Sequence, residues 1–225
     1  KALKSADIAV SEADSFIRFT GCDCRTVYLA KDFTPPEIPT VRSAGEGIIK
    51  IAYLGSVNHV IDWEALAGIA SGLKKRRAEV EIIGGGESLP LLLDRLNEHN
   101  ICYTYHGLTF DPEQLSRVLV NCDFGFNGYK VETQVALSYK SVDYLSYSLP
   151  LLNFTGSDTQ KIVEECGCGF NYTPNDLATI CAKLDSVTET EMFQMRENAA
   201  AAFSNFFSYG HFKEQMDGLL EPYRT

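Results

Sequence analysis

The chain has 225 residues, 45% of them hydrophobic and 22% charged, and these proportions exclude the disordered, collagen-like and coiled-coil classes. Thirty acidic against twenty basic residues give a formal net charge of −10, which disfavours nucleic acid as a partner. No apolar window reaches the length of a membrane-spanning helix. We therefore expect a cytoplasmic globular protein, with at most peripheral contact to the inner face of the membrane.

The seven cysteines are an odd number, which fits a reducing compartment better than a disulfide framework. Two Cys-x-Cys pairs, Cys22 with Cys24 and Cys166 with Cys168, raise the alternative of a four-thiolate zinc site. Paired zinc ligands are usually separated by two to four residues, so we expect no metal site from these pairs.

The leading part of the chain is too small to be a domain. Its pattern predicts a strand at Ile8–Val10, a helix at Ser11–Phe19 and a strand at Thr26–Leu29, followed by an aperiodic segment rich in Pro and Gly from Thr34 to Gly47. We interpret residues 1–47 as the remnant of a preceding domain with its linker. The chain would then be a piece of a longer protein.

From Ile48 onward, short apolar runs alternate with segments of helical period, the pattern of βαβ units with a parallel sheet. The sequence predicts an α/β fold with a doubly wound, Rossmann-like sheet over residues 48–205, closed by a crossover helix in residues 206–225. The predicted strands are Ile48–Leu54, Val80–Ile83, Cys102–His106, Asp123–Asn127, Leu151–Phe154 and Phe170–Tyr172. The predicted helices are Asp62–Leu73, Leu89–Leu96, Asp111–Leu119, Ser138–Tyr147, Thr159–Glu165, Pro174–Leu184, Glu189–Asn205 and Phe212–Leu220.

In open α/β sheets the ligand binds outside the carboxyl ends of the strands. Gly55 and Ser56 open the turn between the first predicted strand of the sheet and the helix at Asp62, where free N–H groups and the helix dipole can hold a phosphate; an ordinary turn is the equal alternative. The Gly84–Gly86 run lacks the third glycine of a dinucleotide fingerprint. We expect that run to have a structural role.

Two later segments carry polar groups to the same edge. Gly107 and Leu108 follow a strand and could hydrogen-bond a nucleobase, whereas we expect the adjacent His106 to be structural rather than a general base. Lys140 and Asp143 share one helix face, so a cation for phosphate and a carboxylate for a vicinal diol could both face the cleft. The alternative is a solvated ion pair between these two residues.

Four stretches, IAYLGSVNHVIDWEALAGI, VEIIGGGESLPLL, YTYHGLTFDPEQLSRVLVNCDFGF and SYKSVDYLSYSLPLLNF, resemble in order and spacing the C-terminal domain of GT-B glycosyltransferases, specifically the retaining enzymes of family 4. The resemblance implies that Gly55, with Ser56 and Lys140 beside it, binds the donor diphosphate. It implies that Gly107 and Leu108 meet the nucleobase and that Asp143 binds the ribose hydroxyls. Glu132 is the candidate for contact with the sugar or pyrophosphate, and so for a catalytic role.

The function that this resemblance implies is hexosyl transfer, with retention, from a nucleotide-sugar to a glycan or lipid-linked acceptor, as in polysaccharide biosynthesis. The acceptor would bind a missing N-terminal domain, so we expect this fragment alone to be inactive. The chain contains no Asp-x-Asp, which agrees with a transferase that needs neither metal nor cofactor.

Two alternatives stay open at the level of sequence. The first is a nucleotide-sugar epimerase of the same architecture. The second is a degenerate, non-catalytic scaffold domain. It is favoured by two departures from the family pattern, since Val135 stands where the family has the first of two acids and Ser56 where it commonly has an arginine.

Overall fold

The computed structural model describes residues 7–20, 24–38, 47–156 and 158–224, the side chains of residues 18–20 excepted. Cys22, which opens one predicted cysteine pair, and residues 39–46 of the predicted linker lie outside the described residues. In the described part of the chain, no helix is both long and apolar enough to cross a membrane.

The leading segment packs onto the remainder of the chain. Strands β1 (Val10–Ser11) and β2 (Arg25–Thr26) form a short parallel pair on either side of helix α1 (Asp14–Thr20). The buried carboxylate of Asp158 accepts hydrogen bonds from the first two backbone N–H groups of α1, at 2.7 and 3.3 Å. This carboxylate therefore fixes the start of α1 to the larger part of the molecule.

The larger part contains a six-stranded sheet, within the described residues, whose strands are all parallel. The order across the sheet is β5-β4-β3-β6-β7-β8, so the direction of winding reverses between β3 and β6. The predicted doubly wound, Rossmann-like α/β fold is confirmed. The strands are β3 (Ile48–Ser56), β4 (Arg77–Gly85), β5 (Cys102–Tyr105), β6 (Phe124–Gly128), β7 (Leu151–Phe154) and β8 (Gly169–Asn171).

Helices cover both faces of this sheet, and each layer encloses its own apolar cluster. The predicted helices are present, with shifted ends. The helix predicted from Pro174 begins at Leu177, because Pro174–Asp176 form a 3₁₀ turn whose Asp176 side chain caps the helix. The helices are α2 (Trp63–Gly72), α3 (Leu89–Glu98), α4 (Pro112–Leu119), α5 (Tyr139–Ser146), α6 (Asp158–Cys166), α7 (Leu177–Ser186), α8 (Glu189–Phe206) and α9 (Tyr209–Leu220).

The buried hydroxyl of Tyr144, on α5, joins β3 to β6 where the two strands diverge. Their pairing is short and ends at Ala52 with Gly125. Beyond it, the Tyr144 hydroxyl accepts from Leu54 N at 2.7 Å and lies 3.3 Å from the carbonyl oxygens of Ala52 and Phe126. A Cβ added to Gly125 would lie 2.5 Å from the Tyr144 ring. The glycine thus makes room for the ring, and the hydroxyl replaces the lost sheet pairing.

We expect Tyr144→Phe to destabilise the protein by about 1–3 kcal/mol, because the buried N–H of Leu54 would lose its acceptor. Urea unfolding followed by circular dichroism measures the change. Tyr209→Phe is the control, since that side chain is exposed and we expect its unfolding midpoint to match the wild type. Equal stability of the Tyr144 variant would contradict the role assigned to the hydroxyl.

Candidate functional site

A cavity of about 320 Å³ opens where β3 ends and α5 begins. It lies at the reversal of strand order, where ligands of doubly wound folds bind. The cavity brings together four residues that the sequence predicted for one site, Gly55, Ser56, Lys140 and Asp143. The remaining lining residues are Leu54, Asn58, Val60, Ile61, Tyr129 and Tyr139.

Gly55 presents an open backbone to this cavity. Its φ of 110° favours glycine, and a Cβ added there would meet nothing within 4 Å. By contrast, a Cβ on Gly84 or Gly86 would collide with the carbonyl oxygens of Gly55 and Val57. The Gly84–Gly86 run therefore serves close packing of neighbouring strand ends, whereas Gly55 is free to approach a ligand.

The start of α2 offers fewer free N–H groups than its sequence suggested. Asp62 caps the helix by accepting from Ala65 N at 3.0 Å, so a carboxylate already takes the place of the anion. In the preceding turn, Val57 N donates to Gly85 O at 2.6 Å and Val60 N to Asn58 Oδ1 at 3.2 Å. Part of the donor set at the start of α2 is therefore already engaged, and binding of a phosphate by the remaining N–H groups stays a prediction.

The N-terminus of α5 is open instead. Ser138 occupies the cap position, but its side chain makes no capping hydrogen bond. Its hydroxyl donates to Asn127 Oδ1 at 2.8 Å, and Asn127 in turn donates to Asn153, which donates to Asn171, each at 2.8 Å. This amide ladder runs across the ends of β6, β7 and β8. Because it engages the Ser138 hydroxyl, the first N–H groups of α5 keep their positive potential at the cavity.

Lys140 adds a cation at the same helix end. The residue is half-buried, but its Nζ is buried and has no hydrogen-bond partner among the described residues. The ammonium lies between two aromatic rings, 4.6 Å from the centre of Tyr53 and 4.9 Å from that of Tyr129. Burial lowers the pKa of Lys140 to about 7. A dianionic ligand would supply the missing partner and favour the charged form.

Asp143 lies one turn further along α5, with its side chain 40% exposed. The alternative of an ion pair with Lys140 is not realised. Asp143 Oδ1 instead accepts from Lys31 Nζ of the leading segment, at 2.7 Å. The second carboxylate oxygen can still accept a hydroxyl of a ligand in the cavity.

Three predicted residues do not line this cavity. Gly107 lies beyond β5, where its carbonyl oxygen accepts from Gly84 N at 2.8 Å, and Gly84 is the register partner of Gly55. Leu108 follows and is 68% exposed. Gly107 and Leu108 therefore lie at the same edge of the sheet as the cavity, but beside the cavity and not in its lining. Glu132 is exposed in the turn after β6, outside the lining of the cavity.

His106 has a carboxylate partner, and its assignment as a structural histidine stays a prediction. Its Nε2 lies 2.6 Å from Glu81 Oε2, on the neighbouring strand β4. Of the cysteine pairs, Cys168 is buried, and desolvation raises the pKa of its thiol to about 12. Across the described ranges, no three His, Cys, Asp or Glu side chains group so as to hold a metal ion.

Sequence reasoning did not assign roles to Tyr53, Tyr129 or Lys31. Tyr53 could have been found from its alternation in β3, which places it on the same face of the sheet as Ile49 and Ile51, two residues before Gly55. Tyr129 directly follows β6, at the edge where ligand groups are expected. Lys31 is 112 residues from Asp143, and no local pattern relates the two.

No protein-family model and no curated protein sequence matches the chain. Solved structures match its fold. HepE from Anabaena, solved in complex with UDP, has 14% identity and a TM-score of 0.76, over 98% of this chain and 65% of that chain. HepE has also been solved in complex with UDP-glucose. This chain thus spans 65% of the length of HepE.

Two further structures extend the comparison. TarM of S. aureus, as a G117R mutant, has 12% identity and a TM-score of 0.72, over 96% of this chain and 44% of that chain. The catalytic domain of the cholesterol-α-glucosyltransferase of Helicobacter pylori has 18% identity and a TM-score of 0.58, over 70% of this chain and 98% of that chain. These proteins are GT-B glycosyltransferases. The likeness is one of fold, and it confirms the predicted fold of a C-terminal GT-B domain.

Lys140 makes a further prediction possible. Because the pKa of Lys140 is lowered in the folded state, the unfolded chain binds more protons than the folded chain above pH 7. The contribution of Lys140 to the free energy of unfolding therefore rises with pH. We expect Lys140→Met to stabilise the protein at pH 6 by about 1–3 kcal/mol, the usual cost of an unpartnered buried polar group. This advantage over the wild type should shrink between pH 7 and pH 9.

Urea unfolding of both proteins across this pH range provides the measurement. Lys183→Met is the matched control, because that ammonium also lies over a ring, 5.5 Å from the centre of Phe170, but on an exposed residue. An advantage of Lys140→Met that does not change with pH would contradict the lowered pKa.

Proposed function

We propose that this chain is the nucleotide-sugar-binding domain of a glycosyltransferase. The observation that carries the proposal is the cavity at the reversal of strand order, which one short helix lines with Asp143 and with Lys140, whose buried ammonium has no hydrogen-bond partner among the described residues. The complexes of HepE with UDP and with UDP-glucose support a uridine nucleotide as the first ligand to test.

In this proposal the diphosphate binds between Gly55 and the N-terminus of α5. The backbone of Gly55 allows close approach, and the Lys140 ammonium and the first N–H groups of α5 provide charge and hydrogen bonds. Ser56 contributes from the rim. Asp143 accepts hydrogen bonds from the ribose hydroxyls, as the family resemblance implies.

The proposed reaction is transfer of the sugar with retained configuration at the anomeric carbon. The bond between that carbon and the β-phosphate oxygen breaks, and its electron pair leaves with the nucleoside diphosphate. The acceptor oxygen forms the new bond to the anomeric carbon, and its proton passes to the departing diphosphate oxygen, which has gained the electron pair. Lys140 and the α5 N-terminus would stabilise the charge that develops on the departing diphosphate, as preorganised dipoles and cations do.

The other predicted contacts remain part of the proposal. Gly107 and Leu108 flank the cavity along the strand edge, at a position suited to a nucleobase when the diphosphate lies at Gly55. Glu132 would meet the sugar or pyrophosphate only from the rim, because it is exposed and outside the lining of the cavity. The acceptor, a glycan or a lipid-linked sugar, would bind another domain, and we propose neither metal nor cofactor for the reaction.

We expect Asp143→Ala to weaken UDP binding by at least about tenfold, because loss of a hydrogen bond to a charged group costs about 1.5–3 kcal/mol. Isothermal titration of the chain with UDP, UDP-glucose and GDP gives the affinities. Asp217→Ala is the matched control, since Asp217 is an ion-paired carboxylate on α9 that does not line the cavity.

The same titration tests the alternatives. A wild-type protein that binds none of these nucleotides at millimolar concentration would contradict the proposed function and favour a scaffold. Uptake of a nucleotide-sugar followed by formation of its epimer would favour an epimerase. Wild-type affinity in a folded Asp143→Ala variant would remove the ribose assignment alone.

Affinity for UDP should also depend on the protonation of Lys140. The terminal phosphate is fully ionised above pH 7 because its second pKa is about 6, so from pH 7 to 9 the titrating partner is the Lys140 ammonium. We expect affinity to fall over this interval in the wild type. In Lys140→Met the affinity should be lower throughout and independent of pH, and an equal fall in both proteins would contradict the assignment.

A further inference from the structure

Lys31 is fixed by its backbone to the end of α8. Its N–H donates to the carbonyl oxygen of Phe207 at 2.8 Å, and the residue forms a parallel β-bridge with Ser208. These contacts hold one residue of the leading segment beside the sheet-covering helices. Main-chain hydrogen bonds therefore fix the position of the Lys31 backbone, from which the side chain extends.

The Lys31 ammonium reaches α5 from this anchor. Its Nζ lies 2.7 Å from Asp143 Oδ1 and 3.0 Å from Ser146 Oγ. It also lies 4.7 Å from the centre of the Phe33 ring and 5.3 Å from that of Tyr147. The ammonium is thus held by a hydroxyl and two aromatic faces as well as by the carboxylate. Because the ammonium is held in place, it fixes the position of the Asp143 carboxylate that it binds.

Asp143 has a second basic residue within reach of its helix face. Lys140 precedes it by three positions, a spacing at which helix side chains pair readily. Such a pair would give each charge a partner and would neutralise the cation of the cavity. In the structure, however, the carboxylate is bound to Lys31, and the Lys140 ammonium has no hydrogen-bond partner in the ranges that the structure describes.

We propose that Lys31 is a positioning residue of the nucleotide site: it holds the Asp143 carboxylate away from Lys140 and so leaves the Lys140 ammonium free for a diphosphate. This inference rests on the proposed function. An ion pair as exposed as Lys31 with Asp143 contributes little to stability. The ion pair instead determines that Asp143 binds Lys31 and not Lys140. The positive charge of Lys140 therefore remains available to an anion in the cavity.

Inorganic pyrophosphate tests this role, because it carries the diphosphate but no ribose for Asp143 to bind. In Lys31→Met we expect Asp143 to pair with Lys140 and pyrophosphate affinity to fall about tenfold, the scale of one charged hydrogen bond. Adding Asp143→Asn removes the competing carboxylate, so the double variant should regain wild-type affinity for pyrophosphate. Lys31→Arg keeps the cation and should bind like the wild type.

The control is Lys183→Met, which removes an exposed lysine over the Phe170 ring and should leave pyrophosphate affinity unchanged. Lys31→Gln, uncharged and of similar length, repeats the measurement if the Met variant does not fold. The inference is overturned if the wild type binds UDP and pyrophosphate but the uncharged Lys31 variants bind pyrophosphate equally well, or if the double variant stays as weak as Lys31→Met. A wild type that binds neither ligand would overturn the proposed function itself, and this inference with it.

Discussion

The hydroxyl of Tyr144 between β3 and β6 is the contact on which the rest of the molecule depends. Two parallel strands that belong to opposite halves of a doubly wound sheet must separate to leave a crevice, and their separation exposes backbone groups that need partners. One side chain satisfies those groups from the helix above. The same contact fixes α5 over the crevice. It therefore positions the cavity together with the helix whose N-terminus and Lys140 give the cavity its positive potential.

Electrostatically, the cavity is an exception within an acidic chain. The net charge of −10 repels anions at a distance, yet the end of α5 combines helix N–H groups with an ammonium between two rings. Burial of that ammonium away from water destabilises the folded protein. Because burial disfavours the charged form, it also lowers the pKa of Lys140. An anion that binds there relieves this destabilisation, which is why an unpartnered buried lysine indicates a ligand site better than a surface lysine would.

The sequence predicted the strands and most of the helices, because alternating apolar runs and capping residues act locally. It also identified Gly55, Ser56, Lys140 and Asp143, which the structure brings to one cavity. Asp62 shows the limit of local reasoning, since it was correctly seen as a cap but its carboxylate takes one of the N–H groups that were expected to be free for an anion. The contact of Lys31 with Asp143 joins residues 112 positions apart, and only the folded chain brings them together.

Ser148 has a φ of 55°, a left-handed conformation that favours glycine. Its buried hydroxyl also has no hydrogen-bond partner within the described residues. This turn thus requires a conformation that its residue does not favour.

The amide ladder of Asn127, Asn153 and Asn171 links the outermost strand to the ligand cavity without touching any ligand. At each step a carboxamide accepts from one neighbour and donates to the next, so every member orients the one before it. The orientation of the Ser138 hydroxyl, which leaves its helix uncapped, is thus tied through Asn127 and Asn153 to Asn171 on the outermost strand. A contact at the far rim of the sheet thereby bears on the charge at the cavity, although Asn171 does not line it.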